Sequence, residues 1–302
     1  MSAQATPPAK AKAAAPKPAP RTVRVPVAAE APDGALKREQ IAARVNGAGT
    51  RVTRLSGPAD DIVLLLVFDL AGDLAVADAA KAAVSERVHA LPANAYAGVM
   101  RANEGLRVAL DPTGDREKIA GAVQNVPVGG KAAFLDSVAQ ASQVADAVTA
   151  RSGVRTAVVY ITDSFAGNYR EDFTNPVINE SDHRDLSRRF PEGLIREKIT
   201  TIERSLATVQ APVFFVHLNH RTDRLSEAYQ AGMMQIAAAS GGVGVFCRST
   251  VEVADAVSRV FDAALGRSLA WVQVPPKTAK NVVVELEAEG WQLNYRSRFV
   301  LR

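Results

Sequence analysis

The chain has 302 residues, of which 47% are hydrophobic and 23% charged. This composition indicates an ordinary folded protein with room for one large domain and a small one. The formal net charge of +4 comes mostly from residues 1–34, where five Lys or Arg outweigh two acidic residues. The remainder is nearly neutral, so a nucleic-acid partner is not predicted.

Cysteine content and hydropathy set further limits. The one cysteine, Cys247, rules out an internal disulfide, and its apolar neighbours indicate a buried thiol. No apolar run approaches the roughly 20 residues of a membrane span, so membrane insertion is not predicted. The first residues also lack the apolar core of a secretory signal. That leaves either a cytoplasmic protein or an exported one whose signal has been removed.

The N-terminal part divides into a tail and a β-segment. Residues 1–20 are largely Ala, Pro and Lys, which predicts a disordered tail. Residues 21–57 carry an Asn46-Gly47 turn signal and are too short for a core of their own. Pro26 indicates a strand at a sheet edge. Two short alternating strands are predicted in this segment, at Thr22–Val27 and Arg51–Leu55.

From residue 58 to 265 apolar strands alternate with amphipathic helices. This pattern predicts an α/β fold with a doubly wound, mostly parallel sheet. Two of the strands are continuous apolar runs, as expected of strands buried on both faces. One ends at Asp69 and the other, Thr156–Thr162, is followed by Asp163. Ligands bind outside the carboxyl ends of such strands, so both carboxylates lie where function is expected.

A long loop is predicted at the same edge of the sheet. Residues 164–190 are polar and show no helical or strand period, Pro191 closes them, and a helical stripe begins at Ile195. Aromatic residues stand among arginines in this loop, a combination typical of contact surfaces. We name Tyr169 and Phe173 as contact residues; a mobile surface loop without a partner is the alternative.

The C-terminal segment, residues 266–302, returns to strand patterns. Strands are predicted at Leu269–Val274, Val282–Leu286 and Leu293–Val300. We expect this segment to pair with residues 21–57. The two ends of the chain would then form one small β-module that flanks the α/β domain at 58–265.

The order of these signals resembles the von Willebrand factor A (vWA) family. A buried strand ends in Asp69, a Gly129-Gly130 turn opens a helix, and a later strand ends in Thr162-Asp163. The flanks resemble the VWFA-related proteins of the acidobacterial type, through the lead-in around Val23–Val27 and the closing stretch Trp291–Arg302. The resemblance covers roughly residues 21–302. It implies a bacterial, exported (periplasmic or extracellular) protein.

The resemblance also implies a metal-ion-dependent adhesion site. Such a site uses an Asp-x-Ser-x-Ser turn, a Thr after the Gly-Gly turn and an Asp after the later strand. The matching positions here are Asp69, Ala71 and Asp73 in the turn, then Lys131 and Asp163. Ala71 has no ligand atom, and Lys131 brings a positive charge in place of a hydroxyl oxygen. The site therefore departs from the family pattern at two essential positions.

Three carboxylates that converge without a cation would repel one another and raise their own pKa values. We hypothesise that Lys131 reaches between Asp69, Asp73 and Asp163 and replaces the metal with an internal ion-pair cluster. No cofactor is then expected. The alternative is residual binding of Mg²⁺, Mn²⁺ or Ca²⁺ by the same three carboxylates, completed by water. A third interpretation treats them as ordinary solvated loop charges.

These observations predict a non-enzymatic protein-binding or scaffolding module whose partner is another protein. Its ligand-binding face would carry Asp69, Asp73, Gly129, Gly130, Lys131, Asp163, Tyr169 and Phe173. Metal-dependent adhesion is the alternative within the same fold. A hydrolase that uses Cys247, with His217 as its base, or a carboxylate is the alternative from another class. No nucleophile elbow or phosphate-binding loop supports the hydrolase.

Overall fold

The computed structural model describes residues 21–30, 34–169 and 186–301. The strands are β1 Thr22–Glu30, β2 Ile41–Val45, β3 Ala48–Thr50, β4 Val52–Ser56, β5 Ile62–Asp69, β6 Ala95–Arg101, β7 Arg107–Thr113, β8 Arg155–Thr162, β9 Val213–His217, β10 Gly244–Phe246, β11 Ser268–Gln273, β12 Asn281–Ala288, β13 Gln292–Tyr295 and β14 Arg298–Val300. The helices are α1 Leu74–His89, α2 Arg116–Gln124, α3 Phe134–Ser152, α4 Leu186–Leu206, α5 Arg224–Ser240 and α6 Val253–Leu265. Short 3₁₀ turns occur at Arg38–Gln40, Ala166–Tyr169 and Thr250–Glu252.

The central sheet has six strands in the order β10-β9-β8-β5-β6-β7. All neighbours are parallel except β6 and β7. Helices α1, α2 and α6 pack on one face, and α3, α4 and α5 pack on the other. Every residue of β5 and β8 is buried, because both strands are central and covered on both sides. The predicted doubly wound, mostly parallel α/β fold is confirmed.

Helix starts in this domain are fixed by aspartates. Asp73, Asp115 and Asp223 each accept a hydrogen bond from a backbone N–H in the first turn of the helix that follows. Gly153 and Gly241 end α3 and α5 in the left-handed conformation that favours glycine. Among the helices of the described ranges, none is both long and apolar enough to cross a membrane.

Strands from both ends of the chain pair to form a β-module. One sheet has the order β13-β1-β11-β4 and the other β14-β12-β2-β3, and both bury apolar side chains in a core of their own. The predicted Asn46-Gly47 turn joins β2 to β3, with positive φ at both residues. The edge position expected from Pro26 is wrong, because β1 lies between β13 and β11. Pro26 is tolerated because β13 begins to pair with β1 only at Val27, so no ladder partner faces its missing N–H on that side.

Two predicted element bounds are also wrong. Helix α4 begins at Leu186, so Pro191 lies inside it and does not separate a loop from a helix. The apolar stripe beyond Pro191 packs against the core and holds the helix despite the missing N–H. The strand predicted at 293–300 is split at Arg296-Ser297, where the chain passes from one sheet of the module to the other.

Buried arginines join the β-module to the α/β domain. Arg155, at the start of β8, donates to the carbonyls of Pro58, Asp60, Leu265 and Arg267. Arg296 donates to three carbonyls at the end of α4 and just after it, and Arg24 binds Asp146 and Gln210. Helix C-termini expose carbonyls and carry partial negative charge, which suits a guanidinium. Arg155 and Arg296 thus join the two parts at the ends of α6 and α4, whereas Arg24 pairs with a carboxylate of α3.

Candidate functional site

The two predicted carboxylates meet at the carboxyl edge of the central sheet. Strands β5 and β8 are neighbours in register, with Asp69 opposite Thr162, so Asp163 follows directly beside the end of β5. The backbone N–H of Asp163 donates to the carbonyl of Asp69 at 3.2 Å. Asp69 is fully buried and Asp163 nearly so. Both side chains must therefore find their partners inside the protein.

Asp69 is held by groups of the chain itself. Its Oδ1 accepts from the backbone N–H of Ala133 at 2.8 Å, and its Oδ2 accepts from the Thr162 hydroxyl at 2.9 Å. Ala133 is the N-cap of α3, whose own side chain supplies no cap. Burial raises the pKa of Asp69 to about 7, the two hydrogen bonds oppose the rise, and the charge of Asp163 adds to it. Asp69, the last residue of β5, thus caps the N-terminus of α3 in place of a side chain of α3 itself.

Asp163 is enclosed by the turn that follows β5. The N–H groups of Ala71 and Gly72 donate to its carboxylate at 2.9 and 2.6 Å. Burial raises the pKa of Asp163, and these two backbone hydrogen bonds oppose the rise. A Cβ on Gly72 would lie 2.8 Å from Oδ2 of Asp163, so the turn closes only because this residue is glycine.

We expect Gly72→Ala to lower the free energy of unfolding by about 1–3 kcal/mol, because the methyl group must displace the Asp163 carboxylate from its amide donors. The control is Gly57→Ala, since nothing lies within 4 Å of a Cβ there. Urea unfolding of both variants measures the difference. Equal midpoints for the two variants would contradict this description of the turn.

The ion-pair cluster expected around Lys131 is not formed. Asp73 is exposed and caps α1 through the N–H of Ala75 at 2.7 Å, so its carboxylate does not join the other two. Lys131 is exposed, and within the described ranges no ion pair joins it to Asp69, Asp73 or Asp163. Backbone amides and a hydroxyl take the place that the hypothesis gave to the ammonium.

The Gly129-Gly130 turn lies beside this site, as expected, with positive φ at both glycines. The N–H of Gly129 donates to the carbonyl of Leu70 at 2.9 Å. Asn103, which sequence reasoning missed, joins the two turns by donating to the carbonyls of Leu70 and Gly129, each at 2.9 Å. The only sign of this role in the sequence was the position of Asn103 just after β6, at the carboxyl edge of the sheet.

A chain of buried hydroxyls leads away from Asp69, and sequence reasoning missed it as well. Thr162 contacts the Ser164 hydroxyl at 2.7 Å, and Ser164 contacts the Tyr229 hydroxyl at 2.8 Å. All three residues are fully buried. His217 contacts the Ser164 carbonyl through Nε2 at 2.6 Å. The signal was the polar Thr-Asp-Ser run at the end of an apolar strand.

The contact residues predicted in the long loop fall mostly outside the described residues. Tyr169 ends the 3₁₀ turn that begins at Ala166, but its side chain is not described. Phe173 lies in the range 170–185, which the structure does not describe. Their predicted role in contact therefore stays a prediction.

The hydrolase alternative finds no support in the geometry of Cys247. The thiol is fully buried, and burial raises its pKa to about 11. Burial also lowers the pKa of His217 to about 4. Its Nε2 must carry the proton because it faces a carbonyl oxygen. A nucleophilic cysteine needs the opposite conditions, a lowered pKa and access to solvent.

We expect Cys247 in the native protein at pH 8 to resist Ellman's reagent, because the thiol is buried and protonated. The same assay in denaturant should then release one equivalent, since the chain has one cysteine. Rapid labelling of the native protein would contradict the burial and would restore the thiol as a candidate nucleophile.

The residues present fit a divalent cation poorly. Oxygen ligands must direct free lone pairs at the ion, whereas each oxygen of Asp69 and Asp163 already accepts a hydrogen bond from the chain, which leaves at most one lone pair on each. Ala71 supplies no side-chain oxygen. Over the described part of the chain, no group of three or more His, Cys, Asp or Glu residues is arranged to hold a metal ion.

Comparison with known proteins finds likeness in structure only. No protein-family model matches the chain, and no curated protein matches it. Solved structures do resemble it. A von Willebrand factor type A protein from Catenulispora acidiphila is 14% identical, with a TM-score of 0.48 over 94% of this chain and 75% of that one. The D319A mutant of the PilB minor pilin from Streptococcus sanguinis is 9% identical, with a TM-score of 0.50 over 69% of this chain and 62% of that one.

The VWA domain of SpRpn10 is 14% identical, with a TM-score of 0.40 over 67% of this chain and 95% of that one. The likeness is one of fold. Two of these three neighbours carry the name of the family that the sequence resembles, and identities this low carry no information about ligands. What the site does must therefore be argued from its own contacts.

Proposed function

We propose that this chain is a non-enzymatic, metal-independent protein-binding module that meets its partner at the carboxyl edge of the central sheet. The observation that carries the proposal is that every oxygen of Asp69 and Asp163 accepts a hydrogen bond from the chain itself, through three backbone amides and one hydroxyl in all. In this arrangement the carboxylates are structural. They fix the turn after β5 and the start of α3, which together shape the edge.

Exposed apolar side chains at that edge support a protein partner. Leu74, the first residue of α1, is 64% exposed. Val251, 88% exposed, lies in the 3₁₀ turn that packs beside α1. Large apolar side chains that remain in water next to a rigid turn are suited to contact with another protein. Contact with a partner would remove both side chains from water, and the rigid edge would not need to rearrange.

The arrangement of the polar groups beneath the edge supports a non-enzymatic role. Ser164 is fully buried and His217 is 1% exposed, and His217 contacts the Ser164 carbonyl rather than its hydroxyl. In the described part of the chain both residues are closed off from solvent. An exported location, which the family resemblance implies, is part of the proposal.

Affinity capture with chemical cross-linking tests the proposal. The immobilised wild type, Leu74→Glu/Val251→Glu and Val283→Glu would each be exposed to an extract of the source cells, with and without EDTA. Acidic residues are favourable in the first turn of a helix, so the change at Leu74 should not harm folding. Val283 is the control, since it is 40% exposed on β12 of the β-module.

We expect the wild type and Val283→Glu to retain the same protein with or without EDTA, and the double variant to lose it. Loss of the protein on adding EDTA would favour metal-dependent adhesion instead. Retention by the double variant would place the contact surface elsewhere.

A further inference from the structure

Positive charge is segregated in this chain. Residues 58–265 contain 20 Lys and Arg against 26 Asp and Glu, a net charge of −6. Residues 21–57 and 266–302 together contain 13 Lys and Arg against 6 Asp and Glu, a net charge of +7. The overall charge of +4 hides this difference. A basic β-module is therefore attached to an acidic α/β domain.

Several of these cations are gathered at one end of the β-module. Backbone hydrogen bonds hold Val274 to Arg21, Gln273 to Arg51, and Leu301 to Lys280, at 2.8, 3.0 and 2.8 Å. The side chain of Arg51 donates to that of Gln273 at 2.9 Å. Lys277 lies in the same β11–β12 loop, between Gln273 and Lys280. We call the group formed by Arg21, Arg51, Lys277 and Lys280 the basic end.

The segments that form the basic end carry no acidic residue to offset it. These segments are residues 20–29, 46–56, 263–284 and 290–302. All four cations of the basic end are exposed. Within the described ranges none of them makes an ion pair, in contrast to Arg24 and Arg44 of the same module. In the sequence, three further positive charges precede Arg21, namely Lys10, Lys12 and Lys17.

We propose that the basic end docks this protein electrostatically on an anionic lipid surface. Clusters of four to eight Lys or Arg are enough for such docking, at about 1 kcal/mol for each cation near the surface. The β11–β12 loop presents Pro275, Pro276 and small residues between its lysines, so the cations approach headgroups without an apolar segment to insert. Docking of this kind is peripheral and screened by salt.

Nucleic acid is the less suitable polyanion. Binding of single strands uses aromatic side chains on which bases stack, and duplex binding uses a helix or ribbon in a groove. The loop 273–281 contains no aromatic residue, and in the described parts of the chain no helix lies among the residues of the basic end.

Vesicle co-sedimentation of the full chain tests the proposal. The wild type would be mixed with phosphatidylcholine vesicles, with and without phosphatidylglycerol, at about 0.1 M salt, where the Debye length is about 10 Å. We expect binding only to the anionic vesicles, and release at high salt. Lys277→Gln/Lys280→Gln should weaken binding about 30-fold, the factor that corresponds to about 2 kcal/mol for two cations.

The matched control is Arg107→Gln/Arg248→Gln, which removes two exposed cations from the α/β domain. It should bind anionic vesicles as the wild type does, and thermal melts should show that both double variants are folded. Equal binding to neutral vesicles would overturn the proposal. So would equal weakening by the two double variants, or binding to duplex DNA without binding to vesicles.

Discussion

Asp69→Ala should lower the free energy of unfolding by about 3 kcal/mol at pH 4, the largest effect we expect in the candidate site. The variant leaves the N–H of Ala133 and the hydroxyl of Thr162 without their buried acceptor, at about 1–3 kcal/mol for each lost partner. It also removes the carboxyl group that caps α3. Chemical denaturation followed by circular dichroism measures the loss.

Asp69→Asn is the matched control for that variant. An asparagine keeps one oxygen for Ala133, and its amide can donate to the Thr162 oxygen, provided that the hydroxyls of Thr162 and Ser164 reverse direction. At pH 4, where Asp69 is largely protonated in the folded protein, we therefore expect near wild-type stability. If Asn and Ala destabilise the protein equally, Asp69 does more than accept hydrogen bonds from the chain.

Comparison of the wild type with Asp69→Asn isolates the contribution of Asp69 to the pH dependence of stability. Its pKa rises from 3.8 to about 7 on folding, so the folded protein binds this proton more tightly than the unfolded chain. This tighter proton binding stabilises the folded protein fully below about pH 4. The stabilisation is lost as pH rises to 7, and the free energy of unfolding falls by about 4 kcal/mol over that range. His217 acts in the opposite direction, because its pKa falls to about 4. The difference between wild type and Asp69→Asn removes the His217 contribution and should therefore fall with increasing pH over this window.

Arg155→Ala is the second change with a large expected effect, a loss of about 3–5 kcal/mol in the free energy of unfolding. Arg155 is 4% exposed and donates to carbonyls of two loops, including the carbonyl of Leu265 at the end of α6. Removing the guanidinium takes the charged donor from the carbonyls of Leu265 and Arg267, at about 1.5–3 kcal/mol for each hydrogen bond, while Asn94 still donates to those of Pro58 and Asp60. Burial lowers the pKa of Arg155 to about 10, against the charge of Asp60, which raises it, so Arg155 is charged at neutral pH.

Arg54→Ala provides the comparison, since Arg54 is exposed and its guanidinium lies 4.5 Å from the centre of the Trp271 ring. An exposed contact of this kind contributes about 0.5–1 kcal/mol. We expect thermal unfolding of Arg155→Ala to show a much larger fall in Tm than that of Arg54→Ala. Similar falls would mean that the carbonyl contacts of Arg155 do not hold the joint.

The main chain at the site was predictable from local pattern. Unbroken apolar runs identify β5 and β8, and the residue that ends a buried parallel strand lies at the carboxyl edge whatever the rest of the fold. This placed Asp69 and Asp163 correctly. The Asn46-Gly47 turn was equally clear, because only a few residue types accept positive φ.

The partners of those carboxylates were not predictable from the sequence. The hypothesis about Lys131 assumed that a missing cation must be replaced by another charge. Backbone amides of Ala71, Gly72 and Ala133 do this instead, and every residue carries an amide, so composition gives no signal. Arg155 was missed for a related reason, since its partners are carbonyls that no residue type identifies.

Isothermal titration of the wild type with Mg²⁺, Mn²⁺ and Ca²⁺ tests most directly the claim that the chain's own donors occupy its carboxylates. Ala71→Ser/Lys131→Thr serves as the positive control, because it restores the two hydroxyl groups that the family pattern contains. We expect no binding heat from the wild type with any of the three ions and measurable heat from the variant. Saturable heat from the wild type with a micromolar dissociation constant would contradict the account.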